Sequence, residues 1–217
     1  MRFFIVRHGE TRWNKEGRFQ GQIDTDLSEH GLAQGERVAS YLSGHPFDAV
    51  VSSPLKRALV TGQKIADACG VGTVEIDDRL TEINHGAWEG LLSSEVEASW
   101  ADVLRRWHRF PDTVLMPGTG GESLRMVQDR SVAAAGDIAE KYSGDVCLTA
   151  HDAVIKVLLC HFLGAPLSSF WNFQIANCSL SVVEIQSGKV PRISLMGDAH
   201  FLRDNYQIGR ASCRERV

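Results

Sequence analysis

The sequence predicts an α/β protein, a three-layer α/β/α sandwich with a mostly parallel central sheet. Short apolar segments rich in β-branched and aromatic residues alternate along the chain with longer segments of helical spacing. The first apolar segment, 2–7, shows no polar alternation, which is typical of a strand buried on both faces of a parallel sheet. Strands that alternate with helices in this way place helices on both faces of the sheet.

The predicted elements follow one another without an internal repeat or a long linker. The predicted strands are 2–7, 48–52, 74–76, 145–149, 179–186 and 190–196. The predicted helices are 28–44, 53–70, 93–110, 122–142 and 152–163, and a polar loop fills the region before residue 28. Ser53 is predicted to be an N-cap, with Pro54 at the first helical position. The last two strands are predicted to form a hairpin around Ser187-Gly188.

The domain prediction is a single domain over residues 1–206. The remaining residues, 207–217, read QIGRASCRERV and show no hydrophobic periodicity. This segment resembles the translation of a sequencing-library adapter, so we predict a non-native tail that takes no part in the fold. A natural basic tail is the alternative.

Composition narrows the classes of partner. The formal net charge is −4, and no long run of like charges indicates a nucleic-acid surface. The apolar segments are too short and too polar to span a bilayer, and the start of the chain lacks a signal-peptide pattern, so we expect a cytoplasmic protein. The five cysteines are scattered and indicate neither a disulfide framework nor a metal site.

Charged and imidazole side chains follow several of the predicted strands. Arg7 and His8 end the first strand, Arg57 and Glu82 follow the second and third, and His151 follows the strand at 145–149. Loops at the carboxyl ends of parallel strands meet at one edge of a sheet, which is where ligands bind. We therefore expect these side chains to form a small, strongly positive pocket with one acid.

Such a pocket suits phosphoryl transfer. Arginine forks match the oxygens of a phosphate group, and nearby positive charge keeps an imidazole neutral and nucleophilic. A carboxylic acid close to the ester oxygen can protonate the leaving group.

Four sequence blocks carry a family resemblance. RHGE at 7–10, SSPLKR at 52–57, the glutamate of RLTEINHG and the TAHD block at 149–152 occur in order. Together they resemble the histidine phosphatase superfamily over residues 2 to about 202, which implies a phosphoglycerate-mutase-like fold.

The resemblance also implies roles for individual residues. It makes His8 the phosphoryl acceptor and makes Glu82 the proton donor, then the base that activates water. It makes Arg7, Arg57 and His151 the phosphate-holding residues. Asn14 and Gln20 would line the entrance, and neither a metal ion nor another cofactor would be needed.

One position departs from the family pattern. Members often have glycine after the second histidine, whereas this chain has Asp152. We expect Asp152 to cap the helix that begins at Ala153, with a direct substrate contact as the alternative.

Sequence features also bear on the activity within the family. The short insert at 91–121 and its PGTGGESL end favour a phosphatase over a mutase that depends on 2,3-bisphosphoglycerate. EINHGAWEG, the pair Arg106-Trp107 and SSFWNFQIANCSLSV resemble the metal-independent phosphoserine phosphatases. His85 would then meet the carboxylate or amino end of a small phosphorylated metabolite, the alternative being an exposed loop histidine. Ser123 is expected to cap the long helix and is a candidate for reaching the phosphate.

The sequence is compatible with several alternatives. α-Ribazole phosphate, sugar phosphates and glycerate phosphates are competing substrates, and a non-catalytic phospholigand-binding protein is a competing function. The terminal hairpin offers a sheet edge, so a homodimer is also left open.

Overall fold

The computed structural model describes residues 1–186 and 188–202 and contains one six-stranded sheet. Its strands are β1 (Arg2–Arg7), β2 (Phe47–Ser52), β3 (Val74–Ile76), β4 (Asp145–Ala150), β5 (Leu180–Glu184) and β6 (Arg192–Asp198). The order across the sheet is β3-β2-β4-β1-β5-β6. The first four strands pair in parallel, and β5 and β6 are antiparallel to their neighbours. The predicted mostly parallel α/β sheet is therefore confirmed.

Helices cover both faces of this sheet. The α-helices of the described residues are α1 (Arg12–Glu16), α2 (Glu29–Leu42), α3 (Lys56–Cys69), α4 (Ser93–Arg109), α5 (Leu124–Lys141) and α6 (Asp152–Leu163). Helices α2 and α3 pack on one face, and α5 and α6 pack on the other. Within the described ranges, no helix combines the length and apolar character that crossing a membrane requires.

Strand β1 contributes to two separate hydrophobic cores. Phe3 and Ile5 pack into the core under α5 and α6, whereas Phe4 and Val6 pack into the core under α2 and α3. Successive side chains of a strand point to opposite faces, so a strand covered on both sides must be apolar at every position. This double burial explains the absence of alternation in the segment 2–7.

The start of α3 differs from the prediction. The helix begins at Lys56, its N-cap residue is Leu55, and neither Ser53 nor Pro54 caps it. The Ser53 hydroxyl instead lies 2.7 Å from His151 Nε2, while the backbone N–H of Lys56 donates to the Asp24 carboxylate at 2.8 Å. The Ser53 hydroxyl also accepts from the Leu55 N–H at 3.3 Å, but this bond lies before the helix, and α3 has no side-chain cap hydrogen bond. The predicted Ser53 cap is therefore wrong.

Helix α1 lies where a loop was predicted. Thr11 and Asn14 form a reciprocal capping box around this five-residue helix, which is too short to show periodicity in the sequence. The proposed tail, the domain boundary at 206 and Ser187 of the hairpin lie outside the described residues, and those predictions remain predictions.

Candidate active site

The parallel strands bring the two predicted active-site histidines together. Arg7 is the register partner of Ala150 on β4, and the His8 N–H donates to the Ala150 carbonyl at 3.0 Å. His151 follows Ala150 directly, so the imidazole rings of His8 and His151 lie with their centroids 5.1 Å apart. The register of β1 and β4 therefore builds the centre of the site.

The hydrogen bonds of His8 fix its tautomer. The side chain is buried, and its Nδ1 lies 2.7 Å from the Gly9 carbonyl. A carbonyl can only accept, so Nδ1 carries the proton and Nε2 keeps its lone pair. Burial, together with the charges of Arg57 and Arg7, holds the pKa of His8 well below its usual range. His8 is thus a neutral imidazole with a nucleophilic nitrogen available.

Two anchored guanidinium groups stand beside His8. Arg57 is almost fully buried and donates to the carbonyls of Ile23 and Gly21 at 2.9 and 2.7 Å. Arg7 donates to the Ile175 carbonyl at 2.5 Å. The buried Nε–H of each arginine has no hydrogen-bond partner in the part of the chain that the structure describes. Buried donors without partners are costly, and an anion in the cavity would satisfy them.

Burial also shifts the pKa values of Arg57 and Glu82. Removal from water lowers the pKa of Arg57 to about 10, which still leaves it cationic at neutral pH. Glu82 is buried, and its Oε1 accepts from the backbone N–H groups of Ile83 and Ala153 at 2.9 and 3.2 Å. Burial and then the nearby Asp152 charge raise the pKa of Glu82, against the opposing effect of the arginines. Glu82 is thus suited to carry a proton and deliver it.

His151 is held by Ser53, and its Nδ1 has no partner among the described residues. Burial and the charge of Arg57 lower the pKa of His151 well below its usual range.

Asn14 and Gln20 line the same cavity. The Thr11 hydroxyl lies 3.1 Å from Asn14 Oδ1 and 2.9 Å from Gln20 Oε1, and the Thr25 hydroxyl donates to Gln20 Oε1 at 2.7 Å. Because these contacts occupy the amide oxygens, the NH₂ groups of both amides remain as donors for a ligand.

The outer wall of the cavity is aromatic. The cavity has a volume of about 190 Å³, and its wall is formed by Phe19, His85, Trp107, Phe170 and Trp171. Trp171 Nε1 donates to the Trp107 carbonyl at 2.7 Å, which ties the wall together. The sequence does not identify Phe19, Phe170 and Trp171 as site residues, because aromatic residues of the wall and of the core have the same sequence signature.

His85 lies in this wall and is half-buried. Its ring is 5.1 Å from that of Phe19, and burial lowers the pKa of His85 to about 4. The structure thus places His85 inside the cavity rather than on an exposed loop.

Ser123 is not among the residues that line the cavity. Its hydroxyl accepts from the Met126 N–H at 3.4 Å as the N-cap of α5, which confirms the predicted cap.

Asp152 corrects a sequence prediction. The N-cap residue of α6 is His151, and Asp152 is the first helical residue rather than the cap. Its carboxylate lies 2.8 Å from Lys156 Nζ and 3.5 Å from Arg7 Nη1. The prediction was wrong because the helix begins one residue earlier than expected, and the carboxylate pairs with a buried lysine one turn along the helix.

A second, larger cavity of about 560 Å³ lies beside Arg2, Tyr41 and His45, at the other end of β1. None of the predicted site residues lines it, so the chemistry of the side chains, and not the size of the cavity, locates the candidate site.

Comparison with known proteins agrees with this geometry. Residues 3–199 match the histidine phosphatase superfamily (branch 1). Phosphoserine phosphatase 1 of Hydrogenobacter thermophilus is 36% identical over 187 residues, which cover 86% of this chain and 87% of that protein. The metal-independent phosphoserine phosphatase of Arabidopsis thaliana is 35% identical over 188 residues, covering 85% and 76% of the two chains.

A solved structure shows the same fold. It is that of a mutant phosphoserine phosphatase from Entamoeba histolytica in complex with phosphoserine, with a TM-score of 0.81 and 26% identity. The match covers 93% of this chain and 99% of that one. The chain belongs to the histidine phosphatase superfamily, and it is a phosphoric monoester hydrolase.

Proposed function

We propose that the protein hydrolyses the phosphate ester of L-phosphoserine through a phosphohistidine on His8, without a metal ion. The observation that carries the proposal is the arrangement of three groups around one small cavity. His8 is neutral with Nε2 unprotonated, the arginines offer unfilled donors, and Glu82 is a buried acid with a raised pKa. This arrangement supports nucleophilic attack, phosphate binding and leaving-group protonation in one place.

The first half-reaction transfers the phosphoryl group to the enzyme. His8 Nε2 attacks phosphorus, the bond between phosphorus and the ester oxygen breaks, and the Glu82 proton passes to the oxygen of the departing alcohol. The Nε–H groups of Arg7 and Arg57 donate to the phosphoryl oxygens as their charge increases. The arginines supply the positive charge that magnesium supplies in many other phosphoryl-transfer enzymes.

The second half-reaction returns the enzyme to its starting state. The Glu82 carboxylate takes a proton from water, the water oxygen attacks phosphorus, and the bond between phosphorus and Nε2 breaks. Inorganic phosphate leaves, His8 is neutral again, and Glu82 is again protonated.

The choice of substrate rests on size, chemistry and relatives. A cavity of about 190 Å³ suits a small phosphomonoester. His85 and Asp152 also line the cavity, and they supply polar groups for the rest of a phosphorylated amino acid. The sequence relatives named above are called phosphoserine phosphatases.

The test is phosphate release in excess EDTA from L-phosphoserine, 3-phosphoglycerate, α-ribazole 5′-phosphate and sugar phosphates, with His8→Ala as control. We expect rapid release from L-phosphoserine that is lost in the variant. Isomerisation of 3-phosphoglycerate after priming with 2,3-bisphosphoglycerate, without net phosphate release, would instead establish a mutase. Binding of phosphomonoesters without turnover of any of them would establish a non-catalytic binding protein.

Two further features complete the proposal. Strand β6 lies at one edge of the sheet, and we propose that two copies pair there as a homodimer; light scattering after size exclusion measures the mass directly.

We also propose a cytoplasmic location, which fractionation of the source cells tests.

A further inference from the structure

Asp152 is a second carboxylate in the active-site cavity, and the reaction steps above do not use it. Glu82 and Asp152 are the acidic side chains among the described residues that line the cavity. Asp152 follows His151 directly, and its side chain remains 24% exposed. It therefore lines the same cavity as His8 and Arg57, with its side chain partly exposed.

The surroundings of Asp152 keep it ionised and in place. Lys156 Nζ lies 2.8 Å from Oδ2, and the lysine side chain is only 6% exposed. The rings of Phe170 and Trp171 cover the ammonium group at 4.9 and 4.7 Å. Burial alone would raise the pKa of Asp152, but the charges of Lys156 and Arg7 outweigh burial and lower it.

The carboxylate retains capacity for a ligand. An ionised carboxylate has about four acceptor positions, and the described contacts are the pair with Lys156 and the longer, 3.5 Å approach of Arg7 Nη1. The remaining positions are available to a hydrogen-bond donor that enters the cavity.

The charge balance of the site indicates the chemical class of that donor. With Glu82 protonated, as the proposed first step requires, Arg7 and Arg57 line the cavity as two cations, and Asp152 and its partner Lys156 contribute one anion and one further cation. Arg18, which also lines the cavity, is paired with Glu16 at 3.4 Å. A phosphorylated amino acid brings a phosphate dianion, a carboxylate and an ammonium group, which neutralise this site. A phosphorylated hydroxy acid of the same size lacks the ammonium group and leaves one unbalanced negative charge beside Asp152.

We propose that Asp152 is a specificity-determining residue that accepts a hydrogen bond from the α-ammonium group of an amino-acid phosphomonoester and rejects the corresponding phosphorylated hydroxy acid. This inference rests on the proposed function, because it assumes hydrolysis at His8. It assigns Asp152 a contact with the non-reacting end of the substrate and no part in bond making or breaking.

The experiment is a ratio of two specificity constants in Asp152→Asn. We compare kcat/KM for L-phosphoserine with kcat/KM for 3-phosphoglycerate of the same handedness, in which a hydroxyl replaces the ammonium group. A hydrogen bond between charged groups corresponds to a factor of about ten or more, so the ratio should fall by at least about tenfold. Because both constants come from one sample, an inactive fraction cancels. An equal loss on both substrates would overturn the proposal and assign Asp152 a structural role.

Two further variants control the measurement. Asp26→Asn removes a carboxylate whose side chain is 86% exposed, and the ratio of the two specificity constants should not change. A similar fall of the ratio in Asp26→Asn would show that the effect comes only from the change in net charge, which would overturn the proposal. Asp152→Asn combined with Lys156→Gln avoids leaving a buried, unpaired lysine and should reproduce the fall. Failure of the double variant to do so would contradict a direct contact with Asp152.

The two proposals fail in different ways. A wild-type enzyme that hydrolyses other phosphomonoesters but not L-phosphoserine overturns both the substrate and the role of Asp152. A wild-type enzyme that hydrolyses L-phosphoserine, with an unchanged ratio in Asp152→Asn, overturns only the role of Asp152.

Discussion

Replacement of the buried acid tests the proposed mechanism most directly. In Glu82→Gln the side chain keeps its size, and its amide oxygen can still accept from the N–H groups of Ile83 and Ala153, as Glu82 Oε1 does at 2.9 and 3.2 Å. The variant should therefore fold normally while losing the proton that Glu82 delivers. General acid catalysis contributes a factor of about 10² to 10⁴, and we expect a loss of that size with L-phosphoserine.

The assay compares leaving groups. The alkoxide of serine is a poor leaving group that needs a proton, whereas p-nitrophenolate leaves without one. With p-nitrophenyl phosphate as substrate, rapid mixing should show that Glu82→Gln forms p-nitrophenolate in a first-turnover burst at nearly the wild-type rate. The following turnovers should be slow, because water activation also needs Glu82. With L-phosphoserine the first turnover itself should be slow.

The same variant has a pH signature. In the wild-type enzyme, kcat/KM for L-phosphoserine should fall as the pH rises through the raised pKa of Glu82, since the acid form is lost. This decrease should be absent in Glu82→Gln. Equal slowing of the first turnover with both leaving groups would refute the role of Glu82 as acid and leave it a structural carboxylate.

Three other predictions concern stability and binding. Four histidines, His8, His85, His108 and His151, have lowered pKa values in the folded state, so the unfolded chain binds more protons at mildly acidic pH. Folding stability should therefore decrease as the pH falls below about 6.5 towards about 4; urea titrations at several pH values measure this, and a flat profile would contradict it. Ser53→Ala leaves a buried imidazole nitrogen unpaired and should lower the free energy of unfolding by about 1–3 kcal/mol, whereas an unchanged denaturation midpoint would mean that the bond contributes nothing. Trp171→Ala opens the aromatic wall and should raise KM for L-phosphoserine severalfold while kcat changes little; a fall in kcat alone would place Trp171 closer to the chemistry than proposed.

The sequence was sufficient for the sheet and for the convergence of the site. Continuous apolar segments mark strands buried on both faces, and parallel pairing alone brings His8 beside His151. The hydrogen-bond and ion-pair partners of side chains near helix starts were harder to predict. Ser53 and Asp152 both stand where helix caps are common, but a buried imidazole and a buried lysine bind them instead. Such long-range partners leave no local pattern in the chain.

The aromatic wall could not be predicted from the sequence for a similar reason. Phe19 and Trp171 lie far apart in sequence and line the same cavity only in the folded protein. Their composition is that of any core, so their position at a cavity depends on loop paths that periodicity does not encode.

The anchoring of Arg57 couples the rim of the cavity to its base. The guanidinium group holds the carbonyls of Gly21 and Ile23, and the Asp24 carboxylate accepts from the first turn of α3, the helix that carries Arg57. The loop between Gln20 and Asp24 cannot swing outward without breaking the bonds that aim this arginine. A phosphate group bound to Arg57 should therefore slow hydrogen exchange at Ile23 and Asp24, which do not line the cavity but are tied to this arginine and its helix.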